Sequence, residues 1–262
     1  MKKYLLVFLI FLFSKGFCTD TISGNIRHDD FVQNKSTVFD LSSNSPVSGA
    51  KIYLQDGSFS TVTDDKGNFK LNINIDKPLI LQVEKEGYSP FSITINSSSP
   101  LKIGIEKLNK NKIIIEKGVF HLGDNVYSKH SANCSQFKVK SIGPYYSKTF
   151  SIENPDYAKS PYLVFGSVIG LDTKEARETG QNSISTSYSS PALVIFNSHT
   201  IGELKLNGDN LKIIIPKELI KEKNEIVIKT GKNLFQYTYT DYDDIEIANL
   251  KIEYQDYYFA DK

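Results

Sequence analysis

Apolar and polar residues alternate in short stretches between residues 21 and 107. The period of two residues is that of a half-buried β-strand, and it is found over residues 50–54, 69–75 and 91–95. The apolar stretch 79–83 is predicted to be a further strand. Turn sequences such as Asp56-Gly57 and the run Asp64–Asn68 separate these stretches, because Asp and Asn fold back on their own backbone and Gly tolerates positive φ. The polar stretch 31–45 is predicted to be a long loop carrying an irregular edge. Many short strands at regular spacing are typical of a β-sandwich or barrel.

The strand pattern continues from residue 113 almost to the C-terminus. Further strands are predicted at residues 146–152, 162–165, 192–197, 201–204, 211–216, 224–229 and 243–254. The polar stretch 172–190 is predicted to be a surface loop, and residues 217–223 allow one helical turn. The chain is therefore predicted to be all-β and to contain two modules. Their predicted bounds are a first module at 19–107, a linker at 108–112, a second module at 113–256 and a tail at 257–262.

The first eighteen residues have the pattern of a secretory signal peptide. Lys2 and Lys3 precede an unbroken apolar run, and small residues follow from Ser14 to Cys18. The run is too short for a permanent membrane-spanning helix, so residues 1–18 are predicted to be removed. Cleavage after Gly16 and cleavage after Cys18 both fit the small-residue rule, and lipidation of Cys18 is a third alternative. No other apolar stretch is long enough to cross a membrane, so the mature chain is expected in a secreted, periplasmic or cell-surface location without a transmembrane segment.

The charge balance excludes partners that need a strongly charged protein. The chain has 31 Lys and Arg against 30 Asp and Glu, which leaves a formal net charge of +1. This gives no electrostatic argument for nucleic acid as a partner. Hydrophobic residues make up 40% of the chain, as in a globular protein, and the absence of Trp leaves Tyr and Phe to supply all aromatic surface.

The first module resembles the carboxypeptidase regulatory-like domain. The residues that carry the resemblance are Pro46–Leu54, Thr61–Phe69 and Val83–Tyr88, with the pattern T-D-x-x-G-x-F, an alternating strand and then K-x-G-Y. The resemblance covers about residues 21–105 and implies a small transthyretin-like β-sandwich. It implies no particular function, because this family is an accessory module found beside many different partners.

The second module resembles the galactose-binding-like jelly-roll domains of exported carbohydrate-active proteins. The resemblance rests on F-H-L-G-D-N-x-Y from Phe120, N-x-S-Q-F from Asn133, I-G-x-L from Ile201, N-E-I-V-I from Asn224 and D-Y-D-D-I-E-I-A-N-L-K-I from Asp241, in the order of the family. The fold implied for the chain is therefore a transthyretin-like sandwich followed by a jelly-roll sandwich. Domains of the second kind often bind a glycan, and many hold a structural Ca²⁺.

An acidic cluster is the candidate metal site. Asp243 and Asp244 precede the last predicted strand, and Asp124 and Asn125 follow the first strand of the second module. The terminal strands of a jelly roll usually lie side by side, so the two loops are expected to meet. Ca²⁺ takes six to eight oxygens from carboxylates and carbonyls, which these four residues can partly supply. Turn chemistry and strand capping are the alternative explanation for the same residues.

Tyrosines in or beside the predicted loops are the candidate ligand-binding residues. Sugar rings stack on aromatic planes while neighbouring polar groups bind their hydroxyls. The four predicted for this role are Tyr127, Tyr188, Tyr237 and Tyr239, and Tyr145 and Tyr146 also lie beside a predicted loop. The alternative for Tyr237 and Tyr239 is that they cover a sheet face.

No catalytic residue is predicted. The four histidines lack metal-ligand spacing, and His121 is expected to pack or form hydrogen bonds. His130 and Cys134 stand four positions apart, whereas catalytic pairs usually come from distant positions. The second module has no Gly-x-Ser-x-Gly sequence and no Gly-rich phosphate loop.

These observations lead to one expected function and one alternative. The chain is expected to be an exported, non-catalytic binding protein whose jelly roll recognises a carbohydrate or surface glycoconjugate, with Ca²⁺ as a candidate structural ion. The alternative is a structural or protein-interaction adaptor at the cell surface or in the periplasm, with another exported protein as its partner.

Overall fold

The computed structural model of the chain describes residues 35–125, 135–153, 155, 159–182, 189–231 and 244–255. These residues belong to one compact unit. Almost all of its regular structure is β-strand, and the strands form four sheets. The predicted all-β sandwich class is therefore confirmed. No helix in the part of the chain that the structure describes has the length and apolar character needed to cross a lipid bilayer.

The N-terminal sandwich is built from the first seven strands. They are β1 (Ser36–Asp40), β2 (Lys51–Tyr53), β3 (Ser60–Val62), β4 (Asn68–Phe69), β5 (Leu79–Glu84), β6 (Phe91–Ile95) and β7 (Lys102–Ile105). One sheet has the order β4-β1-β7 and the other the order β3-β2-β5-β6. The core between them is apolar because alternate side chains point inward, as Ile52 and Leu54 do in and beside β2.

The turn from Asp64 to Asn68 fixes the entry into β4. The Asp64 carboxylate accepts hydrogen bonds from the backbone N–H groups of Lys66 and Asn68 at 2.9 and 2.8 Å. Gly67 has a φ of 72°, and a Cβ atom there would lie 2.4 Å from the carbonyl oxygen of Val38. The turn predicted from the sequence is therefore correct, and Gly67 is required both by its backbone conformation and by the close approach of β1.

Two sequence predictions in this sandwich are wrong. The stretch 31–45 contains strand β1, whose end is a turn in which Asp40 accepts hydrogen bonds from Ser42 and Ser43. The stretch 69–75 pairs only at Phe69. Leu71, Ile73 and Ile75 still pack against the core, so their alternation reflects one-sided burial of an extended segment without a strand partner.

The described residues of the C-terminal half form eight strands in the arrangement of a jelly roll. Its strands are β8 (Lys112–Leu122), β9 (Tyr145–Ser151), β10 (Lys159–Ile169), β11 (Ala192–Phe196), β12 (His199–Leu204), β13 (Gly208–Ile214), β14 (Lys223–Lys229) and β15 (Ile245–Gln255). Helix α1 (Lys174–Glu178) interrupts the predicted surface loop, and a short 3₁₀ turn covers Lys217–Leu219. The sheets have the orders β13-β10-β15-β8 and β12-β11-β14-β9, which are those of a jelly roll.

The two sandwiches are packed against each other through one sheet of each. Strand β5 is buried on both faces, since Leu79 and Leu81 enter its own core while Ile80 packs against Val119 and Ala248 of the jelly roll. This explains why β5 is apolar without alternation. The outer face of sheet β13-β10-β15-β8 is therefore partly covered by the N-terminal sandwich.

Polar groups complete this contact between the sandwiches. The Asp209 carboxylate accepts hydrogen bonds from the backbone N–H and the hydroxyl of Thr94, both at 2.9 Å, and from the Ser167 hydroxyl at 2.6 Å. A Cβ atom at Gly166 would lie 2.6 Å from the Ser92 hydroxyl oxygen. The sheets approach closely at this point because Gly166 has no side chain.

Candidate functional site

Four loops of the jelly roll leave from the same end of the two sheets. The last residue of β8, Leu122, is paired with the first residue of β15, Ile245. In the other sheet, Tyr145 at the start of β9 is paired with Lys229 at the end of β14, which is paired in turn with Leu193. This end of the jelly roll, here called the loop end, therefore collects the β8–β9, β10–β11, β12–β13 and β14–β15 connections.

Asp244 ties the loop end together. It is 2% exposed, and its Oδ1 atom lies 2.8 Å from Nε2 of His121 and accepts a hydrogen bond of 2.9 Å from the backbone N–H of Asn125. A carboxylate removed from water is tolerated when a cation or donor compensates it, and His121 does so here. The expectation that the loops around residues 124 and 244 meet is confirmed by these contacts.

Two glycines make room for Asp244. A Cβ atom at Gly123 would lie 2.2 Å from Oδ1 of Asp244, and one at Gly170 would lie 2.3 Å from its carbonyl oxygen. Their φ angles are 139° and 95°, a region that residues with a side chain rarely adopt. The backbone of two loops is therefore closed around a single buried residue.

His121 connects Asp244 to the segment Ser135–Lys140, which crosses the outer face of sheet β13-β10-β15-β8. Its Nδ1 atom lies 2.6 Å from the carbonyl oxygen of Val139, and its ring lies 4.8 Å from that of Phe137. Burial opposes protonation, but the hydrogen bonds to Asp244 and Val139 outweigh it and raise the pKa of His121 above its usual value. The expected packing and hydrogen-bonding role of His121 is confirmed.

Glu246 holds the same segment by its backbone. Its Oε1 atom accepts hydrogen bonds from the N–H groups of Lys138 and Val139 at 2.5 and 2.7 Å. Burial raises the pKa of this carboxyl to about 7, against the effect of these hydrogen bonds. Because Glu246 and His121 are fully buried, this cluster is enclosed within the protein, with no surface for a substrate on either side chain.

A second polar cluster lies beside helix α1. Asp172 is 1% exposed and accepts a hydrogen bond of 2.6 Å from the side-chain amide of Asn182. Burial raises the pKa of Asp172 to about 7, while the charge of Arg177 opposes the shift. The amide of Asn207 binds both backbone groups of the neighbouring Leu171, with distances of 2.8 and 3.0 Å. These contacts fix the start of the β10–β11 connection.

The predicted metal ligands are only partly within the described residues. Asp124 and Asn125 are exposed, Asp244 is buried, and Asp243 lies outside the described residues. The Oδ1 atom of Asp244 faces His121, and Oδ1 of Asn125 accepts a hydrogen bond from the Ser141 N–H at 2.9 Å. Within the described ranges no group of three or more His, Cys, Asp or Glu side chains is arranged to hold a metal ion. A calcium site at these four residues stays a prediction.

The predicted ligand-binding tyrosines all lie outside the described residues. Tyr127, Tyr188, Tyr237 and Tyr239 belong to the connections that leave from the loop end. Tyr145 and Tyr146, which the sequence also places beside a predicted loop, lie within the described residues. Tyr145 is 53% exposed, whereas Tyr146 is buried and stacked on Phe120, with ring centroids 4.1 Å apart. Alternation along β9 separates the two, because neighbouring side chains on a strand point to opposite faces.

The outer face of sheet β12-β11-β14-β9, here called the open face, presents a mixed surface. Paired strand positions form rows across it: Tyr145, Lys229, Leu193 and Glu203 in the first row, and Ser147, Val227, Ile195 and Thr200 in the second. Thr149 with Glu225 and Ser151 with Lys223 continue the rows on β9 and β14. The Ser147 hydroxyl donates a hydrogen bond of 2.8 Å to Glu225. The centre is apolar and half-buried, and its borders carry hydroxyls and charges.

A shallow groove of about 600 Å³ lies at the end of the open face away from the loops. It is lined by Thr149, Phe150, Ser151, Asn197, Lys223, Asn224 and Glu225. Asn197 shapes it, because its side-chain amide donates to the Leu219 carbonyl at 2.7 Å and its oxygen accepts from the Glu225 N–H at 2.8 Å. Sequence reasoning missed this groove, and the signal that points to it is the polar outward face of β9 and β14.

Comparison with known families identifies the first sandwich. Residues 35–120 match the family model of the CarboxypepD_reg-like domain. The match includes β1–β7 and most of β8, so the predicted resemblance of the N-terminal module is confirmed. No curated protein matches the chain. The likeness of the jelly roll to galactose-binding-like domains stays a prediction.

Proposed function

We propose that this chain is an exported, non-catalytic binding protein and that its jelly roll, as a galactose-binding-like domain, recognises a glycan or glycoconjugate on the open face. The observation that carries the proposal is the exposure of Tyr145 among polar side chains on the open face, which belongs to the sheet opposite the one that the N-terminal sandwich packs against. Export rests on the signal-like residues 1–18, which lie outside the described residues.

The chemistry of the open face suits a sugar. A pyranose ring presents an apolar C–H face to an aromatic plane and hydroxyl groups at its edges. Tyr145 supplies an exposed ring, while Ser147, Thr149 and Glu225 supply donors and acceptors on the two neighbouring strands. These groups stand on paired strands of a rigid sheet, which favours preorganised binding.

The buried clusters support a binding role over a catalytic one. His121 and Asp244 form the pair that most resembles a base and its orienting carboxylate. Both are almost completely buried, the Nδ1 atom of His121 faces the Val139 carbonyl, and the Asn125 N–H donates to the Oδ1 atom of Asp244 that also faces His121. We attribute their arrangement to the fixing of loops.

A glycan array tests the proposal. The sample is the purified chain of residues 19–262, which retains every described residue, applied with and without added Ca²⁺. Binding that is reproducible and lost in Tyr145→Ala supports recognition on the open face. Tyr53→Ala is the matched control, because Tyr53 is a half-buried tyrosine of the N-terminal sandwich.

Three other outcomes have distinct meanings. Binding that survives in Tyr145→Ala moves the site away from the open face. Dependence on Ca²⁺ that disappears in Asp124→Ala, at an exposed member of the predicted ligand set, supports the predicted metal site. A folded sample that binds no glycan overturns the proposal and favours the protein-interaction adaptor, for which a pull-down against exported proteins is the next experiment.

A further inference from the structure

The charged side chains of the open face differ in their ion pairing. Glu203 lies 3.5 Å from the ammonium group of Lys205, whereas the Glu225 carboxylate keeps its charge and accepts a hydrogen bond of 2.8 Å from the Ser147 hydroxyl. Lys223 and Lys229 also point outward from β14, at its two ends, and neither has an ion-pair partner in the part of the chain that the structure describes. The face therefore offers two available ammonium groups.

The two lysines stand at opposite ends of a hydroxyl-bearing strip. Lys229 is paired with Tyr145, and Lys223 is paired with Ser151, while Ser147 and Thr149 lie between them on β9. Six residue steps along β14 correspond to about 20 Å, a length that spans several linked sugar rings. Lys223 also lines the groove at the far end of the face. The strip thus has a stacking group and a cation at one end and a groove with a cation at the other.

From this arrangement we infer that the ligand of the open face is an extended acidic polysaccharide, one that carries carboxylate groups along its chain. The inference rests on the proposed function and adds the chemical class of the glycan. The sugar rings lie along β9 and β14, with one ring against Tyr145. Carboxylates of separate sugar units bind the ammonium groups of Lys229 and Lys223, and the hydroxyls of Ser147 and Thr149 bind the sugar edge.

Charge complementarity favours this occupant over a neutral glycan. A neutral sugar leaves both ammonium groups without a counter-charge, whereas a regularly charged polymer supplies one at each end of the strip. Exposed pairs of this kind are individually weak and are screened by salt, so binding is expected to depend strongly on ionic strength. Several such contacts along one chain add to a useful affinity.

The test compares one polymer in charged and uncharged form. Purified residues 19–262 are titrated with polygalacturonate and with the same polymer after its carboxyl groups have been reduced to alcohols. We expect binding of the charged form, with affinity that falls as salt rises, and weaker binding of the reduced form. The double variant Lys223→Gln and Lys229→Gln is expected to lower affinity for the charged form roughly tenfold at low salt.

The control variant is Lys66→Gln, an exposed lysine in a turn of the N-terminal sandwich. If it weakens binding as much as the double variant, the attraction is non-specific and the inference is overturned. If the charged and reduced polymers bind equally well, and Tyr145→Ala abolishes binding of both, the inference of an acidic ligand is overturned but the proposed function stays intact. Binding of neither form, together with an empty glycan array, overturns both. Hyaluronan and alginate, which differ in backbone, separate a general carboxylate preference from one for a particular sugar.

Discussion

The Nε2 atom of His121 and the Oδ1 atom of Asp244 lie 2.8 Å apart although 123 positions separate the two residues in the sequence. This contact joins the first strand of the jelly roll to the residue that precedes the last strand, at the point where the loops leave the sheets. Because Asn125 and Gly123 also close around Asp244, one carboxylate organises the base of two connections.

Removal of Asp244 is expected to destabilise the protein strongly. In Asp244→Ala, the Nε2 atom of the buried His121 loses its hydrogen-bond partner and the Asn125 N–H loses its acceptor. Breaking one partner of a buried pair typically costs about 3–5 kcal/mol in the free energy of unfolding. Urea unfolding followed by circular dichroism measures the loss, with Asp65→Ala in an exposed turn as the control. A change below about 1 kcal/mol would mean that the loop end is accessible to water.

Two glycines with nearly the same φ angle separate backbone strain from steric overlap. Gly57 and Gly67 have φ angles of 75° and 72°, but a Cβ atom at Gly57 meets nothing within 4 Å, whereas one at Gly67 lies 2.4 Å from the Val38 carbonyl oxygen. Gly57→Ala is expected to cost about 1–2 kcal/mol from the left-handed backbone alone. Gly67→Ala is expected to cost clearly more, since β1 must also move. Equal losses for the two variants would show that β1 adjusts without cost.

Stability is expected to fall as the pH rises through the range in which Asp172 ionises. Burial raises the pKa of this carboxyl from 3.8 to about 7 in the folded protein. A raised carboxyl pKa means that the folded protein binds the proton more tightly than the unfolded chain does. The stabilisation is therefore complete below pH 4 and is lost by pH 8, with an upper limit of about 4 kcal/mol.

The variant Asp172→Asn isolates this contribution. Without an ionisable group at position 172, the free energy of unfolding is expected to fall less between pH 4 and pH 8 than in the wild type. Asp65→Asn, in the exposed turn, serves as the control and should keep the wild-type slope. The same slope in Asp172→Asn as in the wild type would assign the pH dependence to the other buried groups, His121 and Glu246.

The sequence predicts the strands well where one face is buried and each strand has a partner. Residues 91–95 and 224–229 alternate between apolar and polar side chains, and both stretches are strands. The same alternation at 69–75 wrongly predicts a strand, because an extended segment packed on a core has the same period of two residues. The meeting of the loops at Asn125 and Asp244 follows from jelly-roll topology. The pairing of Asp244 with His121 does not, since no local pattern indicates which of several polar residues is buried. Tyr145 and Tyr146 show the same limit, because one residue of register decides which is exposed.

The contact between the two sandwiches is expected to make them unfold together. Ile80 is 1% exposed and packs on Val119 and Ala248 of the jelly roll, although its strand belongs to the N-terminal sandwich. In Ile80→Glu a carboxylate must be removed from water at this contact, so the sheets are expected to separate. A single urea transition in the wild type then becomes two. Val62→Glu introduces the same charge at a 58% exposed position of the same sheet and should keep one transition. If Ile80→Glu unfolds in one transition with an unchanged midpoint, the packing of β5 on the jelly roll does not couple the two sandwiches.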